Sequence, residues 1–350
     1  MINLKRKNQY LEAMAERGWD VLLLYGHSWR KDYFRSLVNY NFFGSYAAAA
    51  LYRSGELQIL VEHPWDQEIL KGFVDAPVQC GIDFRGLKST KIAVAGMELM
   101  EARFVEPSFV SATQLVEANR RIKTAEEIEI LRQASLLADV GYQYFVDTIQ
   151  IGMAEYELVA EVEGFLKERG AEDNFMLIGS GGVEVFGMRP PTDRRFQKGD
   201  NVTTELSPQV HGYYAQICRT LVLGEPSENQ SRSFSIFREA QQAAEDFLKP
   251  GVNIRDVARV QNDVFRREGF GEYTGSKYTR VRGHNLGLHP DENPYVLEDV
   301  DCVVEEGMVL IAHPNTYLPL SGYMVFGDTL LVTANGCERL GTTEKRLFSK

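Results

Sequence analysis

Cysteine is scarce: Cys80, Cys218, Cys302 and Cys337 are the only four in 350 residues, and no two stand in a CxxC spacing. Thiols so far apart exclude a zinc knuckle and argue for reduced side chains rather than a disulfide framework. Long apolar runs are missing too. No stretch approaches the ~18 apolar residues of a membrane span, and the opening MINLKRKNQYLEAMAERG is charged and amphipathic without an apolar h-region. No signal peptide or membrane partner is expected, and the expected location is cytoplasmic. Positive charge is in deficit, with 38 Lys and Arg against 49 Asp and Glu, a net charge of −11. Without a basic patch to overcome that field, nucleic-acid backbones are repelled, which excludes a nucleic-acid partner.

What remains, 44% hydrophobic and 25% charged over 350 residues, is a globular composition long enough for two domains. Residues 1–120 read as an α/β domain. Tyr10, Leu11 and Met14 share one face of a helix over residues 5–18, and strands are expected at 20–26, 46–52, 57–61 and 91–96, with Ser54-Gly55 turning the second into the third. The boundary falls near Arg121, because Thr124-Ala125-Glu126-Glu127 has the capping-box spacing and opens a helix carrying Ile128, Leu131, Ala138, Tyr142 and Phe145 at helical intervals. Residues 121–350 form the second domain. Helices are expected at 154–169, from 225 to 248, and from an Asn253 cap to about 268, with strands over 280–333. A strand at 175–178 is expected to end in a turn of Gly179-Ser180-Gly181-Gly182.

The centre of the chain is residues 199–224, GDNVTTELSPQVHGYYAQICRTLVLG. It reads as a hairpin, with strands at 202–206 and 213–223 and a turn made of Ser207-Pro208-Gln209 together with His211-Gly212. Alternation puts Thr203 and Glu205 on one side of the first strand, and Tyr214, Gln216, Cys218 and Thr220 on one side of the second. One face of the hairpin is therefore unusually polar.

Gly199-Asp200, Tyr213-Tyr214, Arg219-Thr220 and Gly224 match the hairpin frame of the creatinase/prolidase/aminopeptidase P family (M24), which this chain resembles. Further blocks follow in family order: Pro191-Thr192-Asp193-Arg194, Lys249-Pro250-Gly251, Gly283-His284 with Gly287-Leu288, Gly307-Met308-Val309, Asp328-Thr329, and Val332-Thr333-Ala334-Asn335-Gly336. The resemblance implies an α+β protein of two domains, a creatinase-type N-terminal α/β domain and a C-terminal pita-bread domain with a curved antiparallel sheet. It also implies a homodimer and a small-molecule substrate.

Members of that family that hydrolyse peptide bonds hold two metal ions with Asp, Asp, His, Glu and Glu, since carboxylate-bridged cations generate hydroxide at neutral pH. Those positions fall here on Glu205, Gln216, His284, His313 and Gly327, so one ligand of five is unchanged and a dinuclear centre is not expected. The metal-free creatinase branch keeps a catalytic His and a Glu that fall here on Met188 and Cys218, so creatine is not the expected substrate. The expected chemistry is C–N cleavage in a small polar substrate, with no cofactor. His284 and His313 would be acid/base residues and Glu205 and Gln216 positioning groups, since an imidazole titrates near neutral pH. Tyr214, Cys218, Arg282, His289, Asp291 and Tyr323 are the substrate-binding candidates. Two alternatives stay open: a single divalent metal held by His284, His313 and Glu205, and a catalytically silent pita-bread binding protein.

Overall fold

The computed structural model describes residues 2–81, 83–84, 87 and 91–350. They divide into two compact units, Met1–Arg121 and Ile122–Lys350.

The first unit contains helices α1 (Leu4–Arg17), α2 (Asp32–Arg35), α3 (Pro64–Lys71) and α4 (Thr113–Arg121). Its strands are β1 (Val21–His27), β2 (Tyr46–Tyr52), β3 (Leu57–Val61), β4 (Val78–Cys80), β5 (Ile92–Ala95) and β6 (Val110–Ser111). The strands form one mixed sheet in the order β4-β3-β2-β1-β5-β6. The unbroken apolar run of β1 suits a strand buried on both faces. Leu22 and Leu24 pack with Tyr10 and Met14 of α1, while Val21, Leu23 and Tyr25 pack with Phe84 and Phe109 on the other side.

The second unit opens with α5 (Ala125–Thr148), where Thr124 and Glu127 form the expected capping box. Then come α6 (Glu155–Glu168), β7 (Asp173–Gly181), β8 (Asn201–Val210), β9 (Tyr213–Tyr214), β10 (Ile217–Val222), α7 (Glu228–Phe247) and α8 (Ile254–Arg267), the last capped by Asn253. The chain ends through β11 (Gly283–Asn285), β12 (Glu292–Tyr295), β13 (Val309–Ala312), β14 (Asn315–Leu318), β15 (Gly322–Val325), β16 (Gly327–Thr333), β17 (Gly336–Arg339) and β18 (Phe348–Ser349). Ten of these strands make one sheet along β12-β11-β13-β16-β10-β8-β7, antiparallel except where β18 joins β10, and β14-β15 is a separate hairpin. One face of the sheet packs on helices: Val202 and Leu206 meet Phe145 and Val162 of α5 and α6, and Leu310 and Ala312 meet Leu248 and Val257 beside α7 and α8. Alternation then sends Thr203, Glu205, Val309 and Ile311 to the opposite face.

Two local expectations are corrected. Ser207-Pro208-Gln209 is not a turn; it continues β8 opposite Phe175, Asn174 and Asp173 of β7, and only His211-Gly212, both at positive φ, reverses the chain. Gly179-Ser180-Gly181 is likewise extended, paired with Thr203, Val202 and Asn201. Gly179 is needed for close approach rather than for turning, since a Cβ there would lie 2.8 Å from the Gly187 carbonyl oxygen. In both cases a long neighbouring strand outweighs the turn propensity of Gly, Pro and Ser.

Candidate active site

Strand register assembles the site. Cys218 of β10 stands opposite Glu205 of β8 on one side and opposite Gly327 of β16 on the other. Ala312 of β13 pairs with Asp328 and with Gly283, which places His313 beside Gly327, and the His313 N–H donates to the Arg282 carbonyl at 3.1 Å. Side chains far apart in the chain, from Glu205 to His313, thus reach one face.

Glu205 is 8% exposed. Burial pushes its carboxyl up to about 7, repulsion from Asp291 adds to this, and a hydrogen bond with the Gln216 side chain opposes it. Gln216 is clamped through its backbone: its N–H donates to Thr329 Oγ1 at 3.0 Å, and that hydroxyl donates to the Gln216 carbonyl at 2.8 Å. Its Oε1 is buried without a partner among the described residues.

His284 Nδ1 lies 3.0 Å from the Asn285 carbonyl oxygen. A carbonyl only accepts, so Nδ1 carries the proton and Nε2 is left as a base. Asp291 Oδ1 stands 3.6 Å from the same Nδ1. Burial lowers the imidazole pKa, and Asp291 offsets part of that. The His313 ring centroid is 5.1 Å from that of His284, at 66°. His313 is 3% exposed with neither ring nitrogen partnered among the described residues. Burial, then His284 and Arg282, hold it well below the usual histidine range, so it is neutral.

Arg282 is wholly buried. Its Nε donates to Asn262 Oδ1 at 2.6 Å, and Nη1 donates to the Thr279 and Asn315 carbonyls at 2.8 and 2.9 Å. With only neutral partners bonded, desolvation pulls the guanidinium down to about 10. Tyr323 is buried, and desolvation followed by the charge of Glu205 raises its phenol well above the usual value. Cys218 is fully buried, and desolvation followed by Glu205 keeps it a thiol. That state suits packing rather than nucleophilic attack.

The structure therefore brings together Glu205, Gln216, Cys218, Arg282, His284, Asp291, His313 and Tyr323. Tyr214 is directed elsewhere, its hydroxyl donating to Asp173 Oδ2 at 3.0 Å. His289 folds back on its own turn, with Nδ1 2.9 Å from the Asp291 carbonyl oxygen. Two contributors went unnoticed in the sequence. Asn315 joins Arg282 to Tyr323, its side chain bonding both. Glu292 accepts from Asn285 Nδ2 at 3.0 Å and the His289 N–H at 3.2 Å, and pairs with buried Lys123 at 3.4 Å, fixing the turn that holds Asp291 against His284. Lys123 precedes Glu292 by 169 residues, so no local signal announces the pair. Among the described residues no group of three His, Cys, Asp or Glu is placed to hold a metal ion, and no helix is long and apolar enough to cross a membrane.

A family model described as Metallopeptidase family M24 matches residues 129–334. The chain belongs to metallopeptidase family M24. This M24 chain is 33% identical over 242 residues to an Xaa-Pro dipeptidase of Pyrococcus furiosus, covering 69% of this chain and 68% of that protein. It is 25% identical over 291 residues to the peptidase YqhT of Bacillus subtilis, 83% of this chain and 81% of that one. Among solved structures, the prolidase from Pyrococcus horikoshii superposes with a TM-score of 0.84 at 26% identity, covering 98% of this chain and 99% of that one. The X-Pro aminopeptidase from Thermotoga maritima gives 0.87 at 23% identity over 98% and 99% of the two chains, a likeness of fold alone. The expected α+β architecture, with a pita-bread domain of curved antiparallel sheet, is the architecture of this M24 protein.

Proposed function

We propose that this M24 chain is a hydrolase that cleaves the C–N bond of an amide or amidine in a small polar substrate, with Glu205 as acid and His284 as base instead of a pair of metal ions. One observation carries the reading: within a single buried cluster the carboxyl of Glu205 is pushed up to about 7 while the imidazole of His284 is pushed down. Two titratable groups that both feel Asp291 and are displaced in opposite directions mark an acid and a base that coexist near neutral pH. His284 Nε2 takes a proton from water, the resulting hydroxide oxygen bonds to the carbonyl or amidine carbon, and Glu205 passes its proton to the departing nitrogen. The C–N bond breaks to release an amine, and proton exchange with solvent restores both groups. His313 and Gln216 border the reacting centre as neutral hydrogen-bonding groups.

The donor set does not fit two divalent cations. The five positions carry one carboxylate that is half protonated near pH 7, one amide, two neutral imidazoles and a glycine, and buried Arg282 adds a positive charge beside His313. Four incoming positive charges would meet at most one negative charge in a desolvated site. No step is routed through a metal. A homodimer in the cytoplasm belongs to the same proposal.

The test is turnover of small amides and N-acyl amino acids by the wild type, Glu205→Gln and His284→Ala, with and without EDTA, alongside metal content per chain. Loss of about 10²–10⁴-fold in each variant, typical of removing a general acid or base, with indifference to EDTA, is the expected result. Activity that survives both substitutions, or that tracks two metal ions per chain, overturns the reading.

A further inference from the structure

Three segments of the second unit bring aromatic rings to one place beside the buried cluster. Phe186, from the loop after β7, stacks on Tyr317 of β14 with centroids 4.4 Å apart and planes 16° apart. Tyr278, from the segment between α8 and β11, lies nearly parallel to Tyr317 at 5.7 Å and 11°. Tyr273 closes the group at 4.8 Å from Tyr278 and 5.8 Å from Tyr317. This is a held arrangement. Thr316 Oγ1 donates to the Tyr273 carbonyl at 2.5 Å, and the β14-β15 hairpin rests on the Phe186 loop so closely that a Cβ on Gly322 would sit 2.0 Å from the Gly182 oxygen.

The stack is continuous with the site. Tyr317 is the direct cross-strand partner of Tyr323, so both side chains stand on one face of the hairpin. The Tyr323 N–H donates to the Val185 carbonyl at 2.9 Å, and Val185 and Met188, on either side of Phe186, pack on the cluster that contains Cys218 and Tyr323. Phe186 nevertheless stays 58% exposed. A phenyl ring fixed on one side by stacking and still open to solvent beside the buried acid/base cluster offers a flat surface whose ordering cost has already been met.

We propose that Phe186, backed by Tyr317 and Tyr278, is a specificity subsite that takes a planar aryl group on the substrate. The proposal rests on the hydrolase reading for its position, but it is tested without turnover. Binding of phenylalanine and of cyclohexylalanine, which match in size, differ in planarity and carry no scissile amide, is measured by calorimetry on the intact wild type, Phe186→Ala and Phe186→Tyr. The wild type is expected to favour the aryl ligand about five- to tenfold. Phe186→Ala should abolish the preference while Phe186→Tyr keeps it. Equal affinities in the wild type, a preference that survives Phe186→Ala, or failure of both ligands to bind overturns the subsite. Assaying the same wild-type preparation for turnover of small amides separates the two proposals, because a wild type that keeps the aryl preference and turns over no amide loses the hydrolase reading and leaves the subsite standing.

Discussion

Replacing Glu205 by Gln keeps the shape of the side chain and removes its titration, so it reads out the central electrostatic claim directly. The carboxyl titrates near 4.5 in the unfolded chain and at about 7 in the folded one. Between those values the native state holds a proton that the unfolded state has released, so stability falls as pH rises through this window and is flat above it. At about 1.4 kcal/mol per pH unit, the wild type should lose roughly 3 kcal/mol relative to Glu205→Gln between pH 4.5 and 8. His284 and His313 are displaced downward and contribute the opposite slope below about pH 6.5, but they are common to both proteins and cancel in the difference. Urea midpoints for the two proteins at pH 5, 6, 7 and 8.5 supply that difference, with Glu205→Gln gaining on the wild type as pH rises. A constant offset across the range would mean that Glu205 is not held protonated by burial, and the acid role would fall with it.

Asp291→Asn removes the charge that raises both groups, so the acid limb of His284 and the alkaline limb of Glu205 should both move to lower pH in a kcat profile; unmoved limbs would show that Asp291 does not face them. Gly327→Ala should cost at least about 1–3 kcal/mol through overpacking, since its Cβ would meet the Ala312 oxygen and the His313 Cβ at 2.5 Å; an unchanged melting temperature would contradict that contact. Lys123→Met removes the cation beside Glu292, whose carboxylate keeps its hydrogen bonds from Asn285 and His289, and should cost about 1–3 kcal/mol and lower kcat by loosening the turn that carries Asp291. Calorimetric melting with a parallel rate measurement checks both effects.

The hairpin was legible because alternation and β-branched residues mark 202–206 and 213–223, although the second is interrupted at Ala215 and Gln216 into β9 and β10, and Thr124 and Asn253 announced their helices through capping chemistry that is local by nature. Turn propensity misled at Ser207-Pro208-Gln209 and at Gly179-Ser180-Gly181, where the pairing of β7 with β8 decides and each sequence is blind to its partner. The site was legible as a set of positions but not as an arrangement. Tyr214 shares alternation with Gln216 and Cys218, yet Asp173 captures its hydroxyl across β8. Asn315 and the Lys123–Glu292 pair act through contacts between segments far apart in the chain, which composition and spacing do not encode.

The crowding at Gly327 also imposes an order on mutational change. An acidic residue at 327 collides with the Ala312 carbonyl oxygen and with the Cα and Cβ of His313, so shrinking the imidazole alone makes no room and the strand itself must shift first. Any route from this site to one with a carboxylate at 327 therefore passes through an intermediate that has already given up the present packing, and selection for catalysis would have to tolerate that step before it could reward the next.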